Sequence, residues 1–181
     1  MAFETPEISG NEGEAKYAGT HWELESRKEE GANAAEEIQK RLVEEYGWNE
    51  DEVGLFGYAV DEAITNAIVY ANWGLKRTNG ESNEEFDKHI TEKEGDPAET
   101  GKKIIVDISV LDDRVEAVVR SEVKTVIDPE NIPDPTDPEN LKRTSGRGID
   151  TMIKTCDECY FNVPGEVKLV KLRKDNNAVV V

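Results

Sequence analysis

Between Asp51 and Trp73 the chain reads DEVGLFGYAVDEAITNAIVYANW, without a proline or a basic residue. Val53, Phe56, Val60, Ala63, Ile64, Ala67 and Ala71 recur there at helical spacing. On a helix of about 3.6 residues per turn they form one apolar stripe, which must be buried against another element. The opposite side is not simply polar, because Leu55, Ala59 and Val69 lie on it. Among them stand Glu62 and Asn66, one helical turn apart on the same flank. A carboxylate and an amide on a partly apolar flank predict the lining of a cavity. The plainer alternative, two solvated polar residues, stands beside that reading.

The rest of the chain supplies what such a helix would pack on. His21 to Ser26 reads as a short edge strand with Trp22 and Leu24 on one face. Ala34, Ala35, Ile38, Leu42 and Tyr46 mark a helix from about Ala32 to Tyr46, with Gly47 as its stop. Lys103 to Leu111 and Val115 to Arg120 alternate as two strands around the turn Asp112-Asp113-Arg114. Gly148 to Lys154 reads as a short helix, and Tyr160 to Val163 with Val167 to Arg173 as a hairpin around Pro164-Gly165. The expected fold is α+β, a two-layer sandwich with helices on one face of a mostly antiparallel sheet. Two stretches are expected to lack such structure. Gly74 to Gly101 has few large apolar residues beyond Leu75, Phe86 and Ile90, and reads as a long surface connection. Asp128 to Asn140, DPENIPDPTDPEN, carries prolines that no helix or central strand tolerates.

Composition narrows the function classes. With 40 acidic against 22 basic residues the formal net charge is -18, so direct binding to a nucleic-acid backbone is not expected. Neither a secretory leader nor a membrane span is visible, and a cytoplasmic protein is expected. Residues 1 to 18 read as a disordered polar tail before one domain from residue 19 to 175. The chain's two cysteines, Cys156 and Cys159, form a C-x-x-C near a helix end. A zinc site needs about four ligands, and His21 and His89 are remote, so core packing of one thiol is the expected use.

Glu62-Ala63-Ile64-Thr65-Asn66-Ala67 resembles the N-box of the ATPase fold shared by gyrase B, a heat-shock chaperone family, sensor histidine kinases and MutL. IPDPTDPENL followed by GRGIDTMIKTCDECYFN resembles one branch of that fold, the anti-sigma factor serine kinases. The likeness runs from about Trp22 to Arg173. It implies the Bergerat, or histidine kinase-like ATPase, fold with ATP and Mg²⁺ as cofactors. It implies that Glu62 is the general base, that Asn66 ligates Mg²⁺, and that Gly146, Arg147 and Gly148 meet the phosphates. The Asp128 to Thr144 loop corresponds to the family's mobile ATP lid. The implied partners are a sigma factor and an anti-sigma antagonist whose serine is phosphorylated, with a homodimer as the common assembly. The insertion at about 74–101 is longer than this branch typically carries.

One part departs from the pattern. The family's adenine-binding glycine box aligns on Glu122-Val123-Lys124-Thr125-Val126-Ile127-Asp128-Pro129. Glu122 matches the aspartate that accepts the adenine amino group, and Lys124 matches a glycine that gives the purine access to the backbone. Both changes act against adenine. The resemblance therefore leaves three uses open: a kinase, a catalytically inactive pseudokinase acting only by protein binding, or another use of the fold such as a bare ATPase.

Overall fold

The computed structural model describes residues 20–78, 80–126, 147–161 and 163–174. The expected tail at residues 1–18 and the expected lid, Asp128 to Thr144, lie outside the described residues.

Among the described residues, five strands form one antiparallel sheet: β1 (His21–Glu25), β2 (Lys103–Val110), β3 (Arg114–Ser121), β4 (Glu158–Tyr160) and β5 (Glu166–Leu172). Their order across the sheet is β1-β2-β3-β5-β4. Side chains alternate faces with a period of two, and the register lines up the apolar ones. Trp22 stands opposite Val106, Val106 opposite Val119, and Val119 opposite Val167, all four buried. The other face carries ion pairs instead. Arg120 joins Asp107 and Glu166, and Lys168 and Arg114 join Glu116. β1 is an edge strand with Trp22 and Leu24 inward, as its sequence predicts.

The helices share one hydrophobic core with that apolar face. Helix α1 (Glu30–Glu44) buries Ala34, Ala35, Ile38 and Leu42. It stops earlier than the Ala32 to Tyr46 reading, so Tyr46 leaves the stripe and is exposed. Gly47 follows at a φ of 65°, a left-handed geometry that ends the helix. Helix α2 (Glu50–Asn66) starts where the Asn49 side chain accepts from the Asp51 and Glu52 N–H groups, at 2.9 and 3.4 Å. Val53, Phe56, Ala59, Val60, Ala63 and Ile64 are buried along it.

The long helix does not run through to Trp73 in one register. Ala67–Asn72 is a π-helical segment, with the Trp73 N–H donating to the Ile68 carbonyl at 2.9 Å. The extra residue in that turn sets back everything after it by about one residue position, roughly 100°. Asn72 is thereby brought onto the buried side, while Ala67 and Ala71 of the expected stripe are only half-buried.

The Gly74 to Gly101 stretch also departs from expectation. It contains α3 (Asn83–Glu94) and α4 (Pro97–Thr100). Ser82 and Glu85 form a reciprocal capping box at the start of α3. Phe86 is buried, its ring centroid 6.4 Å from that of Tyr70 and 4.9 Å from the Arg77 guanidinium. One aromatic anchor thus packs the insertion against the domain. Helix α5 (Arg147–Thr155) precedes the last strand pair and buries Met152 in the core. β4 spans Glu158 to Tyr160, earlier than the sequence places it, and Gly165 (φ 72°) turns the chain into β5.

Candidate functional site

Glu62 and Asn66 lie at the end of α2, both half-buried. The first turn of α5 crosses them. A Cβ on Gly148 would stand 2.3 Å from Glu62 Oε2 and 3.0 Å from Asn66 Nδ2. Only a residue without a side chain allows that approach while Glu62 stays where it is. Met152 in the core and Ile149 packed against it fix α5 in place. The structure therefore brings together Glu62, Asn66 and Gly148 from two distant parts of the chain.

The corner is electrostatically unsettled. Burial pushes the Glu62 carboxyl above its ordinary range, and the neighbouring Asp61 carboxylate adds to the shift. Burial pushes Asp61 up as well, countered by the Thr65 hydroxyl donating to it at 3.4 Å. Asn66 Nδ2 is buried and donates to no acceptor among the described residues. Tyr70, one turn further, is raised first by burial, then lowered by Arg77 and raised by Glu62. Arg77, on the insertion, is therefore within electrostatic reach of the corner's edge.

Gly146 and the Arg147 side chain lie outside the described residues. Glu122 and Lys124 are described, and their hydrogen bonds run to other partners than Glu62, Asn66 and Gly148. Glu122 Oε2 accepts from the Lys103 backbone N–H at 2.9 Å, and the Glu122 N–H donates back to the Lys103 carbonyl at 3.1 Å. This two-way clamp prolongs the β2–β3 ladder by one pair. Lys124 Nζ donates to the Ser121 carbonyl at 3.2 Å, and its stem lies on Gly165. A Cβ at Gly165 would meet Lys124 Cδ at 2.8 Å.

The polar residue that organises this region is one the sequence reading did not single out. Asn72 is 2% exposed. Its Nδ2 donates to Ser26 Oγ at 2.8 Å and to the Lys103 carbonyl at 3.1 Å, and its Oδ1 accepts from the Val123 N–H at 3.0 Å. It ties the end of β1, the start of β2 and the segment after β3 to the helix. The only sequence signal was an asparagine at the end of an apolar run, and strict 3.6-residue periodicity turns it away from the core.

Cys156 is buried and Cys159 half-buried, and both are free thiols. Cys159 donates to the Met152 carbonyl at 3.2 Å. Their contact raises the Cys156 thiol and lowers that of Cys159. Among the described residues no group of three or more His, Cys, Asp and Glu is placed to hold a metal. No helix there is long and apolar enough to cross a membrane. Comparison with protein-family models and with curated proteins finds no match for this chain.

Proposed function

We propose that the chain is a regulatory domain of the anti-sigma serine kinase type on a Bergerat fold, with Glu62, Asn66 and Gly148 forming its phosphate end. The observation that carries this reading is their convergence, with a glycine where a side chain would collide and a buried amide nitrogen without an acceptor among the described residues. Phosphate binds at helix starts whose N–H groups are unobstructed, and Gly148 puts no side chain of its own into the first turn of α5 where Glu62 and Asn66 approach it. Mg²⁺ takes oxygen ligands. Among the described residues the Asn66 nitrogen makes no bond that would be lost in a half-turn of the amide, which would present its oxygen to a cation. With no three-carboxylate cluster among the described residues, most remaining ligands would be phosphate and water oxygens. When bound, the magnesium triphosphate supplies the phosphoryl group and offsets charge built up during transfer. Glu62, held above its ordinary range, is suited to taking the proton of a serine hydroxyl at a carboxylate oxygen.

The partners in this reading are a sigma factor and the antagonist carrying that serine, in the cytoplasm. A homodimer through a sheet edge belongs to the same reading, with β1 and β4 as the edges. A second reading, a pseudokinase that regulates only by protein binding, is favoured by Glu122 and Lys124 being bonded within the protein.

The test is phosphoryl transfer from γ-labelled Mg-ATP to serine in soluble protein of the source cell. The kinase reading expects labelled phosphoserine that disappears with Glu62→Gln. No label at millimolar nucleotide, with an untagged sigma factor still co-purifying, would leave the pseudokinase reading in its place.

A further inference from the structure

We infer that the site takes a magnesium-bound polyphosphate chain as such and does not read the base attached to it. This rests on the proposal that the Glu62–Asn66–Gly148 corner is a phosphate site. It departs from the adenine specificity that the resemblance implies.

The reason lies in what Ser121 to Thr125 does with its polar groups. The Ser121 N–H donates to the Gly165 carbonyl at 2.9 Å, the Glu122 N–H to Lys103, and the Val123 N–H to Asn72. Ser121 Oγ donates to the Val123 carbonyl at 2.7 Å, and the Thr125 carbonyl accepts from the Gly165 N–H at 2.8 Å. Glu122, the carboxylate at the position expected to accept an exocyclic amino group, has its Oε2 engaged with the Lys103 N–H. Lys124 lies on Gly165 with its ammonium turned back to Ser121. Its stem covers backbone against which a flat ring would have to lie.

Reading a base through Glu122 Oε2, or against the backbone that Lys124 covers, would require breaking contacts already made. Opening the Glu122–Lys103 clamp leaves a strand-end N–H without its partner, and moving Lys124 uncovers Gly165. A site that hydrogen-bonds its ligand rejects an analogue lacking the matching group by about 10⁴-fold or more, because its own polar groups are then unpaired. Where Ser121, Glu122 and Val123 already have protein partners for their N–H groups, those groups impose no such penalty. Discrimination then falls to apolar contact, worth tenfold or so. The opposite condition holds at Asn66, whose buried nitrogen has no protein acceptor among the described residues. Asn66 and Asn72 are six residues apart on one helical path, at the two ends of the π-helical segment. The open phosphate end and the closed base end are thus ends of the same short stretch.

The experiment is calorimetric titration of the full chain with Mg-ATP, Mg-GTP and Mg-tripolyphosphate, repeated on Gly148→Ala and on Glu122→Asp with Lys124→Gly. The inference expects three dissociation constants within about tenfold of one another. All three should weaken together in Gly148→Ala, and Mg-ATP alone should tighten in the double variant. Mg-ATP binding the native chain a hundredfold or more tighter than the other two would overturn base indifference and leave the phosphate site standing. No heat with any of the three at 10 mM ligand (roughly the weakest binding worth calling a site) would instead overturn the phosphate-site proposal. Binding unchanged by Gly148→Ala would place the ligand elsewhere and overturn both. A thermal unfolding curve for each variant separates lost binding from lost fold.

Discussion

At Asn66 the helix carries an amide whose nitrogen donates to nothing among the described residues, whereas Asn72 uses both its nitrogen and its oxygen in bonds of 2.8 to 3.1 Å. The two share a residue type and an apolar neighbourhood, yet only one is satisfied. Buried polar groups in folded proteins are nearly always paired, and each exception calls for a reason. Asn72 has a structural role, since it joins three segments that nothing else in its position could join at once. Asn66 has none of that kind, and it faces a glycine and a carboxylate that burial keeps from ionising freely. The difference assigns one asparagine to stability and leaves the other available for a ligand.

The sharpest way to break that comparison is to remove each side chain in turn. Asn72→Ala would leave the Val123 N–H without its partner and remove one of the bonds made by Ser26 Oγ and one of those made by the Lys103 carbonyl. A cost of about 3 kcal/mol is expected in chemical denaturation, a fall of roughly 10 °C in Tm for a domain of this size. Equal losses for Asn72→Ala and Asn66→Ala would remove the distinction. Gly148→Ala comes next. Alanine favours the helix by up to about 1 kcal/mol, while its Cβ pushes the Glu62 carboxylate aside from 2.3 Å. Because that carboxylate is the free end of a flexible chain, stability should stay within about 1 kcal/mol of the native value. Affinity for Mg-tripolyphosphate should fall by tenfold or so, about 1.4 kcal/mol. Asn66→Ala itself should change stability by less than about 0.5 kcal/mol, since its amide nitrogen makes no bond among the described residues.

How much of this was legible beforehand follows the same division. The strands were readable because one face is buried and the other charged, so Trp22, Leu24 and the β2–β3 residues alternate as the sheet requires. Glu62 and Asn66 were readable as a pair because α2 is still regular there. The π turn at Ala67–Asn72 was not, because a run of small and β-branched residues carries no mark of a register change. Asn72 was lost with it. The insertion was misread for a different reason. Its composition is polar, but a local cap at Ser82–Glu85 and one buried ring, Phe86, hold a helix that periodicity alone underweights. Glu122 and Lys124 could be flagged as departures from a family pattern. That they are bonded to Lys103 and Ser121 depends on strand register, which no short stretch of sequence reveals.

The smallest effect expected is also the one whose sign distinguishes the two ends most cleanly. Glu62 has its carboxyl raised by burial first and by Asp61 second, so the folded state favours the neutral form. The stability tied to that form is fully present below the ordinary glutamate range of about 4.3. It is lost as pH rises through the raised folded value. At neutral pH the native chain therefore holds a charge in a place that resists it. Glu62→Gln keeps the shape and removes the charge, so Tm should rise slightly at pH 7 and the gain should shrink toward zero on acidification below pH 4. Asp61, raised in the same direction, stays in both proteins, so its contribution cancels to first order in the difference between their curves. A side chain kept for packing shows no reason to be less stable than its neutral isostere. One kept for its reactivity does, and the gain in Tm should accompany the loss of any phosphoryl transfer. A Glu62→Gln protein that melts lower than the native chain at pH 7 would mean that the charge stabilises this corner, and Glu62 would then belong with Asn72 rather than with Asn66.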